Sequence, residues 1–264
     1  MGQIDFKDKV IWITGASSGL GEAMAHEFAD CGAKVILSGR KEKELVRVQS
    51  QVANSSILIL DLLQSETFEN KVNDAISLYG HVDIIVHNGG VGQNALAIDT
   101  KKEVQHTIFD VNFFSTTELT QYLLPHFKKR KTGNIVLISG VLGKVALPGR
   151  SSYSASKAAL HGYYDSLRAE LIEDNIDVTI LIPSFLKTDL TKKSLSYNGD
   201  RSNKEAETAG CPVDKAAKQV ANAVFKKKYQ AFIGNNDKGR LLLLISRLFP
   251  SLAISMVLKQ VKNN

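Results

Sequence analysis

The sequence predicts a single-domain α/β fold, a parallel sheet of about seven strands with helices on both faces. Short runs rich in Val, Ile and Leu recur along the chain with little polar alternation, as in strands covered on both faces. Longer segments of helical period separate them, and alternation at this spacing builds a parallel sheet through right-handed crossovers. Neither an internal repeat nor a Pro-rich linker divides the 264 residues, so one domain is expected over 1–235, with an apolar segment over 236–264.

The first strand, Val10–Ile13, runs into Thr14-Gly15-Ala16-Ser17-Ser18-Gly19-Leu20-Gly21, and a helix is expected over Gly21–Cys31. Glycine in such a turn permits positive φ and close backbone approach, and the helix N-terminus offers free N–H groups to a pyrophosphate. Gly15, Ser17, Ser18, Gly19, Leu20 and Gly21 are therefore candidate ligands of a dinucleotide. The second strand, Lys34–Ser38, ends at Gly39-Arg40. A site for NAD usually carries Asp or Glu there, which would repel the 2′-phosphate of NADP. Gly39 and the guanidinium fork of Arg40 favour phosphate instead, so NADP(H) is the expected cofactor. After a helix over Lys41–Val52, the third strand, Ile57–Leu60, delivers Asp61 and Leu62, with Asp61 suited to accept the adenine amino group. A helix over Ser65–Tyr79 leads to the fourth strand, Val82–His87, which closes on Asn88-Gly89-Gly90; Asn88 and Gly90 join the cofactor set. Lys101–Lys131 is expected as one helix. The fifth strand, Asn134–Ser139, a helix over 151–174, the sixth strand, Asp177–Ile182, a loop over 185–212 for the substrate, and the seventh strand, Gln230–Ile233, complete the order.

Tyr153 and Lys157 stand four apart in a run of good helix formers, so they share a face. A free phenol titrates near 10 and is a poor acid–base catalyst at neutral pH. Lowering it by about 3 units takes roughly 4 kcal/mol, which one cation at ~4 Å supplies at an effective dielectric of about 20. Lys157 is expected to be that cation.

Taken together, these residues resemble the short-chain dehydrogenase/reductase family over 7–235. The resemblance rests on Thr14–Gly21, Asp61, Asn88-Gly89-Gly90, Asn112 in Asp110-Val111-Asn112, Tyr153 with Lys157, and Pro183 with Thr188. Gly210-Cys211-Pro212-Val213 and the apolar tail resemble the branch called dehydrogenase/reductase member 7. The resemblance implies a doubly wound, Rossmann-type sheet and hydride transfer between NADP(H) and the carbonyl or alcohol of a hydrophobic small molecule. It implies Tyr153 as general acid/base, Lys157 on the nicotinamide ribose, Asn112 holding a relay water, and Thr188 at the carboxamide. It also implies a homodimer or homotetramer through the helices at 101–131 and 151–174. One departure is serious. The family's catalytic serine lies 13 positions before the tyrosine, where this chain has Gly140. Ser139 replaces it only if the strand ends or bends first, because neighbouring strand residues face opposite ways. The alternative is a catalytically weak or inactive NADP-binding sensor or scaffold.

Composition excludes other classes. Cys31 and Cys211 give no disulfide framework, and six scattered histidines give no metal-ligand spacing, so no metal is expected. The net charge of +6 favours an anionic partner. Nucleic acid is not expected, because Lys128-Lys129-Arg130-Lys131 and Lys226-Lys227-Lys228 lack interleaved aromatics. Met1–Lys7 is too short and polar for a secretory signal, so a cytoplasmic location is expected, with or without peripheral membrane attachment. The stretch 240–262 is the most apolar part of the chain, yet Arg247 and Pro250 interrupt it. A central arginine costs about 2.5–3.5 kcal/mol on insertion, which disfavours a span. A segment packed on the fold or on a partner, or a helix lying on lipid, remains.

Overall fold

The computed structural model describes residues 4–202, 210–235 and 238–262; the part of the predicted substrate loop over 203–209 lies outside them. Seven strands form one sheet: β1 (Val10–Thr14), β2 (Lys34–Gly39), β3 (Ser55–Ile59), β4 (Ile84–His87), β5 (Gly133–Ile138), β6 (Ile176–Pro183) and β7 (Gln230–Ile233). Their order is β3-β2-β1-β4-β5-β6-β7, and every neighbouring pair is parallel. The winding reverses between β1 and β4, which opens a crevice beyond the carboxyl ends of these two strands.

Alternating side chains of the strands serve two cores. Ile11, Ile13, Val35 and Leu37 pack with α1 (Gly19–Asp30), α2 (Glu42–Gln49) and α7 (Val213–Phe225) on one face, through Phe28, Leu45 and Val220. Val10, Trp12 and Ile36 pack on the other face with α3 (Phe68–Tyr79), α5 (Ser115–Arg130) and α6 (Ser151–Glu170), through Phe68, Phe127 and Tyr164. Trp12 Nε1 donates to Ser38 Oγ at 2.8 Å, and Ser38 Oγ donates to Leu58 O at 2.8 Å. One buried polar chain thereby ties β1, β2 and β3 in register without leaving a polar atom orphaned.

The single helix expected over 101–131 is two. α4 (Lys102–Phe109) passes into a π-helical segment, Asp110–Phe114, before α5 begins. The apolar spacing continues through the junction, so sequence periodicity does not mark it; such wide turns often sit at functional sites, and this one carries Asn112.

The tail folds as a helical hairpin, α8 (Lys238–Leu248) and α9 (Pro250–Lys262). Pro250 stands at the first position of α9, where its missing N–H costs nothing. No helix among the described residues is long and apolar enough to cross a membrane.

Candidate active site

The crevice between β1 and β4 widens into a cleft of about 1630 Å³. The turn after β1 forms its floor. Gly15 and Gly19 have φ of +68° and +62°, values L side chains rarely adopt. A Cβ on Gly15 would lie 2.8 Å from Gly89 Cα, and one on Gly21 would run into the Gly15 carbonyl. Thr14 and Asn88 pin this close approach. Thr14 Oγ1 accepts from the Asn88 and Gly89 N–H groups at 3.1 and 3.0 Å, and Asn88 Nδ2 donates to the carbonyls of Thr14 and Gly15. Leu62 presses on Gly89 from the side.

Ser18 caps α1 without a side-chain hydrogen bond to the helix, so the N–H groups of Gly19, Leu20 and Gly21 are left to the cleft. That bare helix end, reached over two positive-φ glycines, fits a dinucleotide pyrophosphate. Ser17, Ser18, Asp61, Leu62, Gly90 and Pro183 line the same cleft. Thr188 reaches over the turn, 3.7 Å from where a Cβ on Gly19 would stand. Arg40 is exposed at the rim. The nearby carboxylates Glu22 and Glu44 are both held by Arg47, at 2.7 and 3.2 Å, and the Arg47 hydrogen bonds hold the Glu22 carboxyl below its usual range.

At the other end of the cleft Tyr153 and Lys157 lie one turn apart on α6, both buried. Lys157 Nζ donates to Ile138 O at 2.9 Å. Asn112 Oδ1 accepts from Val91 N at 2.8 Å, and its Nδ2 donates to Val91 O and Ser156 Oγ. Both amide protons are thus used, while one Oδ1 lone pair is left. It faces Gly90 together with Lys157 Nζ; a Cβ there would lie 3.0 Å from Asn112 Oδ1 and 3.6 Å from Lys157 Nζ.

Two expectations need correction. Ser139 does not take the place of the missing serine. β5 ends at Ile138, but Ser139 N still bonds Leu181 O in register with β6. The residue therefore keeps its strand facing, and its Oγ bonds His161 Nε2 at 3.0 Å and Lys157 O at 3.3 Å. It is Gly140 that faces the phenol, with a Cβ position 3.8 Å from Tyr153 Oη. Nor does Lys157 bring the phenol pKa down within the protein alone, where burial outweighs the charge that lowers it. Burial pushes Tyr153 up to about 12, opposed by Arg150, and burial pushes Lys157 down to about 8. Desolvation outweighs charge pairing here, and Tyr153 keeps its proton at neutral pH.

Sequence reasoning missed four residues that shape the cleft. Arg150 donates to Gln93 O and, at 3.4 Å, to Ser194 Oγ. Buried Gln93 accepts from Tyr153 N at 3.1 Å and so fixes the start of α6. Lys193 crosses from the loop after β6 to Ser18 Oγ at 3.0 Å, and Arg47 joins α1 to α2. Each acts through a contact distant in sequence, which no local spacing announces; only the position of Arg150, three before Tyr153, offered a hint.

A family model described as short chain dehydrogenase matches residues 9–198. A Drosophila melanogaster protein named dehydrogenase/reductase SDR family protein 7-like is 35% identical over 262 residues, covering 96% of this chain and 80% of its own. A Xenopus tropicalis protein named dehydrogenase/reductase SDR family member 7B is 36% identical over 258 residues, covering 94% and 80%. Among solved structures, a short-chain dehydrogenase from Streptomyces avermitilis superposes with a TM-score of 0.82 at 26% identity, over 97% of this chain and 98% of its own. A short-chain dehydrogenase/reductase from Burkholderia phymatum, solved in complex with NAD, has a TM-score of 0.78 at 20% identity, over 87% and 90%, and shares the fold. The glycine turn, the Tyr153/Lys157 pair and these matches along nearly the whole chain lead to one conclusion: the chain belongs to the short-chain dehydrogenase/reductase family of oxidoreductases, in its dehydrogenase/reductase member 7 branch.

Proposed function

We propose that the protein is an NADP(H)-dependent oxidoreductase acting on the carbonyl or alcohol of a hydrophobic small molecule. The observation that carries this reading is the buried phenol of Tyr153 facing the bare backbone of Gly140, in one cleft with Lys157 and the glycine turn. A nicotinamide held in this cleft would supply or take up the hydride. Tyr153, proton-bearing at neutral pH, gives its proton to the substrate oxygen in reduction; in the oxidation direction it accepts the alcohol proton only after losing its own, as the tyrosinate. Lys157, held by Ile138 O, binds the ribose and keeps positive charge beside the phenol. Asn112 fixes Val91 and α6 and uses its remaining lone pair for a relay water. Ser17, Ser18, Leu20 and the glycines hold the diphosphate, Asp61 and Leu62 the adenine, and Pro183 and Thr188 the carboxamide end.

Arg40 supports NADP(H) over NAD(H). Gly39 stands where an acid would otherwise meet the ribose, Arg40 follows it with a fork suited to phosphate, and Arg47 pairs with the cleft carboxylates Glu22 and Glu44. The NAD in the Burkholderia phymatum structure belongs to that protein and marks the alternative. Fluorescence titration with NADPH and NADH decides it. NADPH binds more tightly, and Arg40→Ala removes that preference; tighter binding of NADH contradicts the assignment. Exposed Phe114 and Tyr122 on the α4–α5 side support pairing of subunits there, as a homodimer or homotetramer.

Gly140 favours a second reading, a weakly active or inactive NADP-binding sensor or scaffold. A donor aimed at the reacting oxygen is worth about 10²–10³ in rate, and the Gly140 position lacks one. The tyrosine–lysine pair favours the enzyme, since a pure binder has no use for it.

A further inference from the structure

The C-terminal hairpin is the large feature that the cleft leaves without a role. On α8, Leu241, Leu244 and Leu248 recur on one side of the helix and are 56%, 54% and 66% exposed. Phe249 at the bend and Leu252, Ile254, Met256 and Leu258 on α9 are exposed as well. Among the residues of the pair whose burial is described, the buried ones are small, Gly239 and Ala253. Exposed apolar side chains in this number, a stripe on α8 and the pairs Leu252/Met256 and Ile254/Leu258 on α9, mark a binding region, and the charges indicate its occupant. From Lys238 to the last residue there are five basic side chains (Lys238, Arg240, Arg247, Lys259 and Lys262) and no acidic one. Two such hairpins laid face to face would bring like charges together, which disfavours a second copy of the chain. Arg240 and Arg247, seven apart, border the leucine stripe, so their stems can lie along apolar surface while their heads reach a polar layer. With 11 and 13 residues, α8 and α9 measure roughly 17 and 20 Å at 1.5 Å per residue, too short to span a hydrocarbon core of about 30 Å.

We propose that α8 and α9 form an interfacial anchor that seats on the surface of an anionic lipid bilayer, leucines in the acyl boundary and basic heads among the headgroups. α8 also lies against the turn Val141–Gly143, directly after Gly140. A seated hairpin therefore brings the substrate end of the cleft beside lipid, the source of a hydrophobic substrate. This last consequence rests on the role proposed for Tyr153; the anchor itself does not.

Flotation of the full chain with vesicles tests it. The chain floats with vesicles of phosphatidylcholine and phosphatidylserine, floats less with phosphatidylcholine alone, and detaches as salt rises. A Leu244→Glu/Leu248→Glu variant, altered only at exposed positions, loses about tenfold or more of the bound fraction while its NADPH affinity and Tm stay at the wild-type values. Tyr153→Phe floats like wild type, so failure of the catalytic reading leaves this result untouched. A wild-type chain that stays at the bottom of the gradient with both vesicle types overturns the proposal. So does a double-glutamate variant that floats as well as wild type. Loss of a concentration-dependent oligomer in that variant, with no vesicle binding by wild type, would reassign the face to protein.

Discussion

A Cβ built on Gly140 would stand 3.8 Å from Tyr153 Oη and 3.9 Å from Pro183 O, ordinary contact distances, and the backbone there is extended, as any residue allows. Gly140→Ser is therefore accommodated without strain and places a hydroxyl beside the reacting oxygen. Turnover with NADPH and a ketone rises about tenfold or more, up to the 10²–10³ of an oxyanion donor. An unchanged rate would mean that another group already polarises that oxygen. Ser139 cannot be that group while it bonds His161 and the Lys157 carbonyl. The two adjacent positions show how little strand facing forgives: one residue of offset separates the position facing Tyr153 Oη from a hydroxyl bonded to His161.

At the scale of elements, the glycine turn works because Gly21 has no side chain, so that the first turn of α1 closes on the Gly15 carbonyl. Gly21→Ala forces the two apart. Overpacking of this kind costs about 1–3 kcal/mol, read as a fall of several degrees in Tm, with NADPH affinity lost in parallel. A variant with wild-type Tm and affinity would contradict the geometry of the turn. All seven strands and the turn were legible from apolar runs and glycine spacing, because strands buried on both faces leave a continuous signal. Edges were less so; β3 begins at Ser55, where polar residues in the first positions mask the strand. The π segment carrying Asn112 was invisible because its residues keep helical spacing. Gln93 and Lys193 were invisible because their partners lie across the fold, Arg150 was hinted at only by its place three before Tyr153, and the helical break at Pro250 was visible where the docking of the hairpin was not.

At the scale of the whole molecule, two buried histidines couple stability to pH. Burial, then the Lys157 charge, pushes His87 down to about 3; burial, then Lys144, pushes His161 down to about 4. Both are neutral in the folded chain and bond hydroxyls, Thr120 Oγ1 and Ser139 Oγ. The unfolded chain takes up their protons near pH 6.5, so stability is full above that value and falls as pH drops toward about 4. The slope is about 1.4 kcal/mol per pH unit for each histidine. Denaturation series between pH 7 and 4.5 measure it, and His87→Asn flattens the slope by close to one proton. A pH-independent midpoint over that range would show that these histidines are charged or exposed.

The central claim is that Tyr153 delivers the proton while the glycine turn only holds the cofactor. Single-turnover oxidation of NADPH with a ketone substrate, in wild type and Tyr153→Phe at matched NADPH saturation, tests it most directly. The predicted result is a loss of about 10²-fold or more in the chemical step with NADPH affinity unchanged. Equal rates in the two proteins would contradict the assignment.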